Sequence, residues 1–255
     1  MEDILNKIIV LIKECGELIV NADRNDIDIE NKDGIGNYVT NYDTLIQEKI
    51  KEGLAKIMPE AAFMGEEGDD NNISNKEYLF VVDPIDGTAN FARDLKLSAI
   101  SIGLLKNGKP FLGVCYLPYV NELYTAIKDE GAYLNGKKIH VSNKLLNDGI
   151  VYSGCAPYYE DLRSRSLSLL QSFASNAADF RRAGSAVIEL CNIAAGRAEV
   201  YFELKIQPWD FCGASIIVLE AGGTLTTIDG NEIDYLHPSS VLASNGMEDY
   251  NKYIV

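Results

Sequence analysis

Histidine is scarce: the chain has 2 among 255 residues. Neither His140 nor His237 stands near another ligand type in a spaced motif, so histidine-based triads and metal sites are disfavoured. Cysteine is present but unorganised. Cys15, Cys115, Cys155, Cys191 and Cys212 are scattered, odd in number and without a Cys-x-x-Cys pair. They point to free thiols in a reducing cytoplasm, not to a disulfide framework or a zinc site. Basic residues are outnumbered 23 to 38, which leaves a net charge of −15 and argues against nucleic acid or an anionic membrane surface as main partner. No apolar run approaches the roughly 20 residues needed to span a bilayer. The acidic start, Glu2-Asp3, is unlike a secretory leader. No internal repeat or low-complexity segment is present.

What remains is an ordinary globular composition, 47% apolar and 24% charged, in a chain long enough for one large domain or two smaller ones. Its most informative stretch is Asp83-Pro84-Ile85-Asp86-Gly87-Thr88-Ala89-Asn90-Phe91. The preceding Tyr78–Val82 run reads as a buried strand, so two carboxylates stand where the chain leaves a sheet. Pro84 has no N–H and is expected to stop the ladder. Gly87 lets a ligand approach the main chain, and the amides from Gly87 and Thr88 onward offer an anion site. Carboxylates crowded against such amides make sense around a divalent cation. Asp-Gly is also a common turn dipeptide, and the motif alone leaves both readings open.

Helical spacing predicts a first helix over 2–21 and a second opened by Asp43-Thr44 and ended by Pro59, with Asp43 a candidate N-cap. The polar segment 21–38 reads as a loop made mobile by Gly34 and Gly36. Ala61–Met64 reads as a strand running into Gly65-Glu66-Glu67-Gly68, a solvated turn or a ligand pair. Ser98–Leu105, Pro110–Leu117 and Glu122–Lys128 follow as strands, with Asn107-Gly108 and Asn135-Gly136 as hairpin turns. That makes residues 1–146 an α+β part with an antiparallel sheet. From about 147 strands alternate with helices, so 147–255 reads as an α/β part that completes the active-site cleft. It contains Gly184-Ser185-Ala186 at a helix start, Glu203 at a strand end, and Pro208-Trp209-Asp210, where Asp210 could cap a helix.

Taken in order, Val39-Thr40-x-x-Asp43, Gly65-Glu66-Glu67, the Asp83–Phe91 stretch, Gly184-Ser185-Ala186, Trp209-Asp210 and Glu220-Ala221-Gly222-Gly223 resemble the inositol monophosphatase family of magnesium-dependent, lithium-sensitive phosphatases. The likeness runs from about residue 30 to 245. Pro84 and Ile85 separate the two acids, which is the wrong spacing for the haloacid-dehalogenase-type motif, in which the aspartates are closer together. The resemblance implies a layered αβαβα sandwich, usually a homodimer, that hydrolyses inositol monophosphate or a similar small polyol or sugar phosphate. It implies two to three Mg²⁺ ions per site. Glu66, Asp83 and the Ile85 carbonyl match ligands of the first; Asp83, Asp86 and Asp210 match those of the second. Glu66 also serves a third, with Glu67 beside it. Asp43 and Thr88 match the pair that activates water, and Gly87 and Thr88 match phosphate donors. Asp86, Gly184, Ser185, Ala186 and Glu203 match the alcohol side, and Lys32 matches a basic residue on a mobile loop over the site. Fructose-1,6-bisphosphatase and histidinol-phosphatase activities are the enzymatic alternatives, and a regulatory binding protein of the same fold is the non-enzymatic one. Ala92–Leu97 departs from the family's usual turn there, at a segment that can border substrate or dimer contact.

Overall fold

The computed structural model describes residues 1–32, 38–68, 76–155 and 159–254. Helix α1 (Glu2–Val20) leads into strands β1 (Ile29–Asn31) and β2 (Tyr38–Thr40), and then helix α2 (Asn41–Ile57). Next come β3 (Ala62–Gly65), β4 (Tyr78–Asp86) and the five-residue α3 (Thr88–Ala92). A meander follows: β5 (Ala99–Lys106), β6 (Lys109–Leu117), β7 (Glu122–Ile127), β8 (Gly131–Leu134) and β9 (Lys137–Ile139). The remainder is β10 (Ile150–Ser153), α4 (Glu160–Ala174), β11 (Asp179–Arg181), α5 (Ala186–Ala194), β12 (Val200–Ile206), α6 (Pro208–Glu220), β13 (Thr224–Thr226) and β14 (Ser239–Ser244).

Strands β3 to β9 lie in sequence order in one seven-stranded sheet, antiparallel except for the β3–β4 pair. Both Asn-Gly dipeptides adopt positive φ at both residues (50° and 74° at Asn107-Gly108, 49° and 76° at Asn135-Gly136), as tight hairpin turns require. The second sheet has the order β11-β10-β12-β14-β13; its first three strands are parallel and the last two join antiparallel.

Alternation along the strands sorts side chains into layers. Phe80, Val82, Ile102 and Val114 face α1 and α2, which bury Ile8, Ile12, Ile46 and Ile50 against them. Leu79, Val81, Cys115 and Tyr124 point the other way, onto α5 and α6, beyond which lie Tyr201, Val241 and Ala243 of the second sheet. The far face of that sheet, with Val151, Val200 and Phe202, is covered by Leu169 and Phe173 of α4. The order is therefore αβαβα, as the resemblance implied. Helix α6 has buried residues from Pro208 through Val218 on every face. It touches the first sheet almost backbone to backbone: a β-carbon at Gly103 would lie 2.9 Å from the Gly213 nitrogen. No described helix is long and apolar enough to cross a membrane.

Three expectations are corrected. The segment read as a loop contains β1, which pairs with β2; Gly34 and Gly36 lie outside the described residues. Strand β4 does not end at Pro84. Pairing breaks between Asp83, opposite Ser101, and resumes at Asp86, opposite Ala99, so Pro84 falls in a bulge where its missing N–H costs nothing. Neither Asp43 nor Asp210 is the N-cap residue: α2 and α6 begin earlier, with Thr40 and Gln207 as N-caps and the two aspartates as third-residue partners in their capping boxes.

Candidate active site

The bulge in β4 sets the centre of a cleft between the two sheets. The Ile85 N–H, freed from the ladder, donates back to Asp83 Oδ1 at 3.0 Å. Gly87 then takes φ +90°, where a side chain would be strained, and turns the chain into α3. Asp83, Asp86 and Asp210 each present an oxygen within 4.8 Å of the others.

Each of these aspartates is aimed by a definite anchor. Asp86 Oδ2 accepts from the Ser185 hydroxyl at 2.5 Å and from the Val187 N–H at 2.7 Å, so the start of α5 holds it. Asp210 is the third residue of α6, and its Oδ2 accepts the Gln207 N–H at 2.8 Å. Asp43 occupies the equivalent place in α2. Its Oδ2 accepts the Thr40 N–H at 2.8 Å and the Thr40 hydroxyl at 2.5 Å. Its Oδ1 faces the Thr88 hydroxyl at 2.9 Å, and the Ile85 carbonyl oxygen lies 3.1 Å from the same hydroxyl. A carboxylate at this position answers the orphan N–H of its own helix cap, and its aim is fixed by backbone geometry.

Glu66 and Glu67 follow β3 and share the Lys32 ammonium, which is 2.9 Å from Glu66 Oε1 and also bonds Glu67. Gln47 clamps the backbone of Glu67, accepting its N–H at 2.9 Å and donating to its carbonyl. Burial would lower the Lys32 pKa, but the two carboxylates outweigh it and hold it above its usual range.

Crowded burial of like charges marks the whole cleft. Burial, opposed by hydrogen bonds from Thr40 and Thr88, pushes Asp43 up to about 6. Asp86 also rises to about 6, by burial against the bonds from Ser185 and Val187. Glu66 reaches about 7, with burial outweighing Lys32. Asp83 and Asp210 are pushed well up by burial and then by neighbouring carboxylates.

The cleft wall takes in Glu66, Asp83, Ile85, Asp86, Gly87, Thr88, Gly184, Ser185, Ala186, Glu203 and Asp210. Asp43 stands behind Thr88, and Glu67 behind Glu66 on Lys32; neither lines the cleft. Glu203 is not at a strand end. It is the fourth residue of β12, where the pairing with β14 becomes irregular. The Tyr201 hydroxyl donates to its Oε2 at 2.9 Å, and a β-carbon at Gly154 would collide with its carboxylate.

Sequence reasoning missed Glu189. It lines the cleft, is 2% exposed, and accepts the Ala183 N–H at 2.5 Å and the Gly184 N–H at 3.3 Å. Burial pushes its pKa up to about 8. Asn90 grips the same segment from the other side, donating to the carbonyls of Ala183 at 2.8 Å and Gly184 at 3.3 Å. The available signal was a single charge inside the otherwise apolar Ala186–Leu190 run. Lys205 and Gly154 were also missed as wall residues.

The chain is 33% identical to the inositol-1-monophosphatase of Bacillus subtilis, with 92% of this chain and 89% of that protein covered. It is also 33% identical to the Nus factor SuhB of Pasteurella multocida, covering 96% and 92% of the two chains. Among solved structures, an IMPase of Thermotoga maritima superposes with a TM-score of 0.88 at 30% identity, covering 100% of this chain and 96% of that one. An IMPase/NADP phosphatase complexed with Mg²⁺ and phosphate gives a TM-score of 0.86 at 27% identity, covering 96% and 92%. The model of the inositol monophosphatase family matches residues 1–254, and the chain, a phosphatase, belongs to that family.

Proposed function

We propose that the protein is a Mg²⁺-dependent phosphomonoesterase that hydrolyses inositol monophosphate or a similar small polyol or sugar phosphate by attack of water. The observation that carries this reading is the convergence of Asp83, Asp86 and Asp210 oxygens within 4.8 Å, beside the Asp43–Thr88 hydrogen bond. An all-oxygen donor set, in which burial raises Glu66, Asp83, Asp86 and Asp210 above their ordinary pKa, fits hard divalent cations. Glu66, Asp83 and the Ile85 carbonyl would hold one ion, Asp83, Asp86 and Asp210 a second, and Glu66 with Glu67 a third. Bound, such ions neutralise the phosphate, acidify water and offset charge on the departing oxygen.

The chain's own residues supply the rest. The Thr88 hydroxyl donates to Asp43, so its oxygen accepts a bond from water and directs the water's lone pair at phosphorus. Asp43, ionised at pH 7, receives the proton through Thr88. The amides of Gly87 and Thr88 bind phosphate oxygens. The strip Gly184-Ser185-Ala186 and Glu203 face the alcohol, with Glu203 accepting hydroxyl hydrogens.

Phosphate release from inositol 1-phosphate, fructose 1,6-bisphosphate and histidinol phosphate, with Mg²⁺ and with EDTA, tests the reading. Release only with Mg²⁺ and inhibition by millimolar Li⁺ are expected. No release from any ester would leave the binding-protein alternative, to which the Nus-factor name of one relative lends support. As further parts of this reading, the protein works in the cytoplasm, and residues 1–146 and 147–255 are its two parts. It pairs as a homodimer through the surface around Leu97 and Val120, exposed apolar residues that line one recess.

A further inference from the structure

The Asp83–Phe91 stretch contains one polar side chain that the proposed chemistry does not use. Asn90 lies in α3, is 8% exposed and does not line the cleft. Its side-chain amide donates to the carbonyls of Leu97 at 2.8 Å, Ala183 at 2.8 Å and Gly184 at 3.3 Å. An amide has two hydrogens for these three acceptors, so one hydrogen is shared. Ala183 is 93 residues further along the chain, so a single side chain fastens the turn after β4 to the segment that leads into α5. The fit is close. A β-carbon at Gly184, which holds φ +74°, would lie 3.3 Å from Asn90 Nδ2. One at Gly87 would lie 2.9 Å from the Leu97 carbonyl oxygen and 3.3 Å from that of Gly184. The two walls depend on this amide to different degrees. The phosphate-binding turn has supports of its own: the Ser98 hydroxyl and the Phe91 N–H donate to the Gly87 carbonyl at 3.1 Å and 3.0 Å, and the Thr88 hydroxyl bonds Asp43. The Ala183–Gly184 segment is held on its N–H groups by Glu189 and on its carbonyls by Asn90.

We propose, on the phosphatase reading of this cleft, that Asn90 is a positioning residue for substrate selection. It fixes how far the strip Gly184-Ser185-Ala186 on the alcohol side stands from the phosphate-binding amides of Gly87 and Thr88. It acts through the strip and touches neither the substrate nor the reacting atoms. Without its donors the strip is anchored from the Glu189 side alone, and it drifts relative to a phosphate turn that keeps its own bonds. Hydrogen bonds weaken steeply with distance and angle, so a small drift weakens the hold on a polyol while the phosphate is still gripped. Asn90 therefore governs discrimination among alcohols and leaves the attack on phosphorus to Asp43 and Thr88.

Asn90→Leu keeps the bulk and removes the donors, and Asn90→Asp keeps the shape but sets a carboxylate against three carbonyl oxygens. The test measures kcat and KM of each in saturating Mg²⁺ with inositol 1-phosphate and with phenyl phosphate, an ester without a hydroxyl for the strip to select. The ratio of kcat/KM for the two esters should fall about tenfold or more, the scale of one lost hydrogen bond, through KM of inositol 1-phosphate. Turnover of phenyl phosphate should stay within about threefold of wild type. Glu189→Leu frees the same segment from its other side and should lower the ratio likewise. The two changes combined should do less than the product of each alone, because they undo one clamp. Melting temperatures within a few degrees of wild type will establish that the variants fold; if either does not, Asn90→Ser, which keeps a shorter donor, carries the same comparison. Equal losses on both esters, or an unchanged ratio, overturn the proposal. Hydrolysis of neither ester by the wild type overturns the phosphatase reading, and the role of Asn90 falls with it.

Discussion

Removing divalent cations and raising the pH together should destabilise this protein, because the cleft must then hold unneutralised buried charge. Burial lifts Asp43 and Asp86 from 3.8 to about 6, and Glu66 from 4.5 to about 7. Asp83 and Asp210 move in the same direction. A carboxyl that binds its proton more tightly in the folded chain favours folding only while protonated. Stability therefore falls as pH rises through the window between the two values: 3.8 to 6 for Asp43 and Asp86, and 4.5 to 7 for Glu66. A hundredfold gain in proton affinity corresponds to about 3 kcal/mol for one group. The contributions do not add in full, since their sum would rival the whole stability of a domain, about 5–15 kcal/mol. For a chain of this size, 3 kcal/mol alone corresponds to a melting shift of roughly 6–12 °C. Scanning calorimetry in EDTA should show a fall of that order between about pH 4 and 7, and Mg²⁺ should restore more at the upper pH than at the lower. The general repulsion of a chain of charge −15 acts in the same direction, so Asp83→Asn is the deciding variant. It keeps an acceptor for the Ile85 N–H and removes one buried charge. It should be inactive, yet melt several degrees above wild type in EDTA at pH 8. A flat or rising melting temperature in wild type, or a less stable Asp83→Asn, would refute the reasoning.

Thr40→Val should cost about 2–4 kcal/mol, the sum of a lost N-cap and a charge-assisted bond to buried Asp43. It should also lower kcat at least tenfold with little change in KM, and Thr40→Ser should restore both; urea titration and steady-state kinetics measure the pair. Glu203→Gln should raise KM for inositol 1-phosphate and spare kcat, and a collapse of kcat instead would move Glu203 into the reacting group. Glu189→Leu leaves the Ala183 and Gly184 N–H groups without their acceptor, so KM should rise about tenfold or more; Glu189→Gln, which keeps an oxygen there, should stay near wild type. Equal damage from both variants would show that the charge of Glu189, and not its acceptor, matters.

The Asp83–Phe91 stretch was readable because strand, bulge and turn are local events written in consecutive residues. The layer order followed from the family resemblance and agrees with the way apolar alternation and helical periodicity sort the side chains. Other features were long-range. Asp43 and Asp210 looked like N-caps because a capping box places its acid three residues inside the helix, and only the observed helix start separates the two positions. Glu203 seemed to end a strand because the β12 irregularity depends on its partner β14. Lys205 and Glu189 gave almost no local sign of facing a cleft, since that orientation is set by which elements pack across from them.

Helix α6 bears on how the cleft admits and releases its contents. It lies against the first sheet with glycine backbone contacts, carries apolar residues on all sides, and brings Asp210 into the cleft at its first turn. A hinge that swung the two sheets apart would have to tear this helix from one of them and expose its buried faces to water. The cleft is thus built around a fixed axle. Traffic through it must use small displacements at the rim, and turnover in this molecule should be nearly indifferent to agents that hinder large-scale domain motion, such as high viscosity.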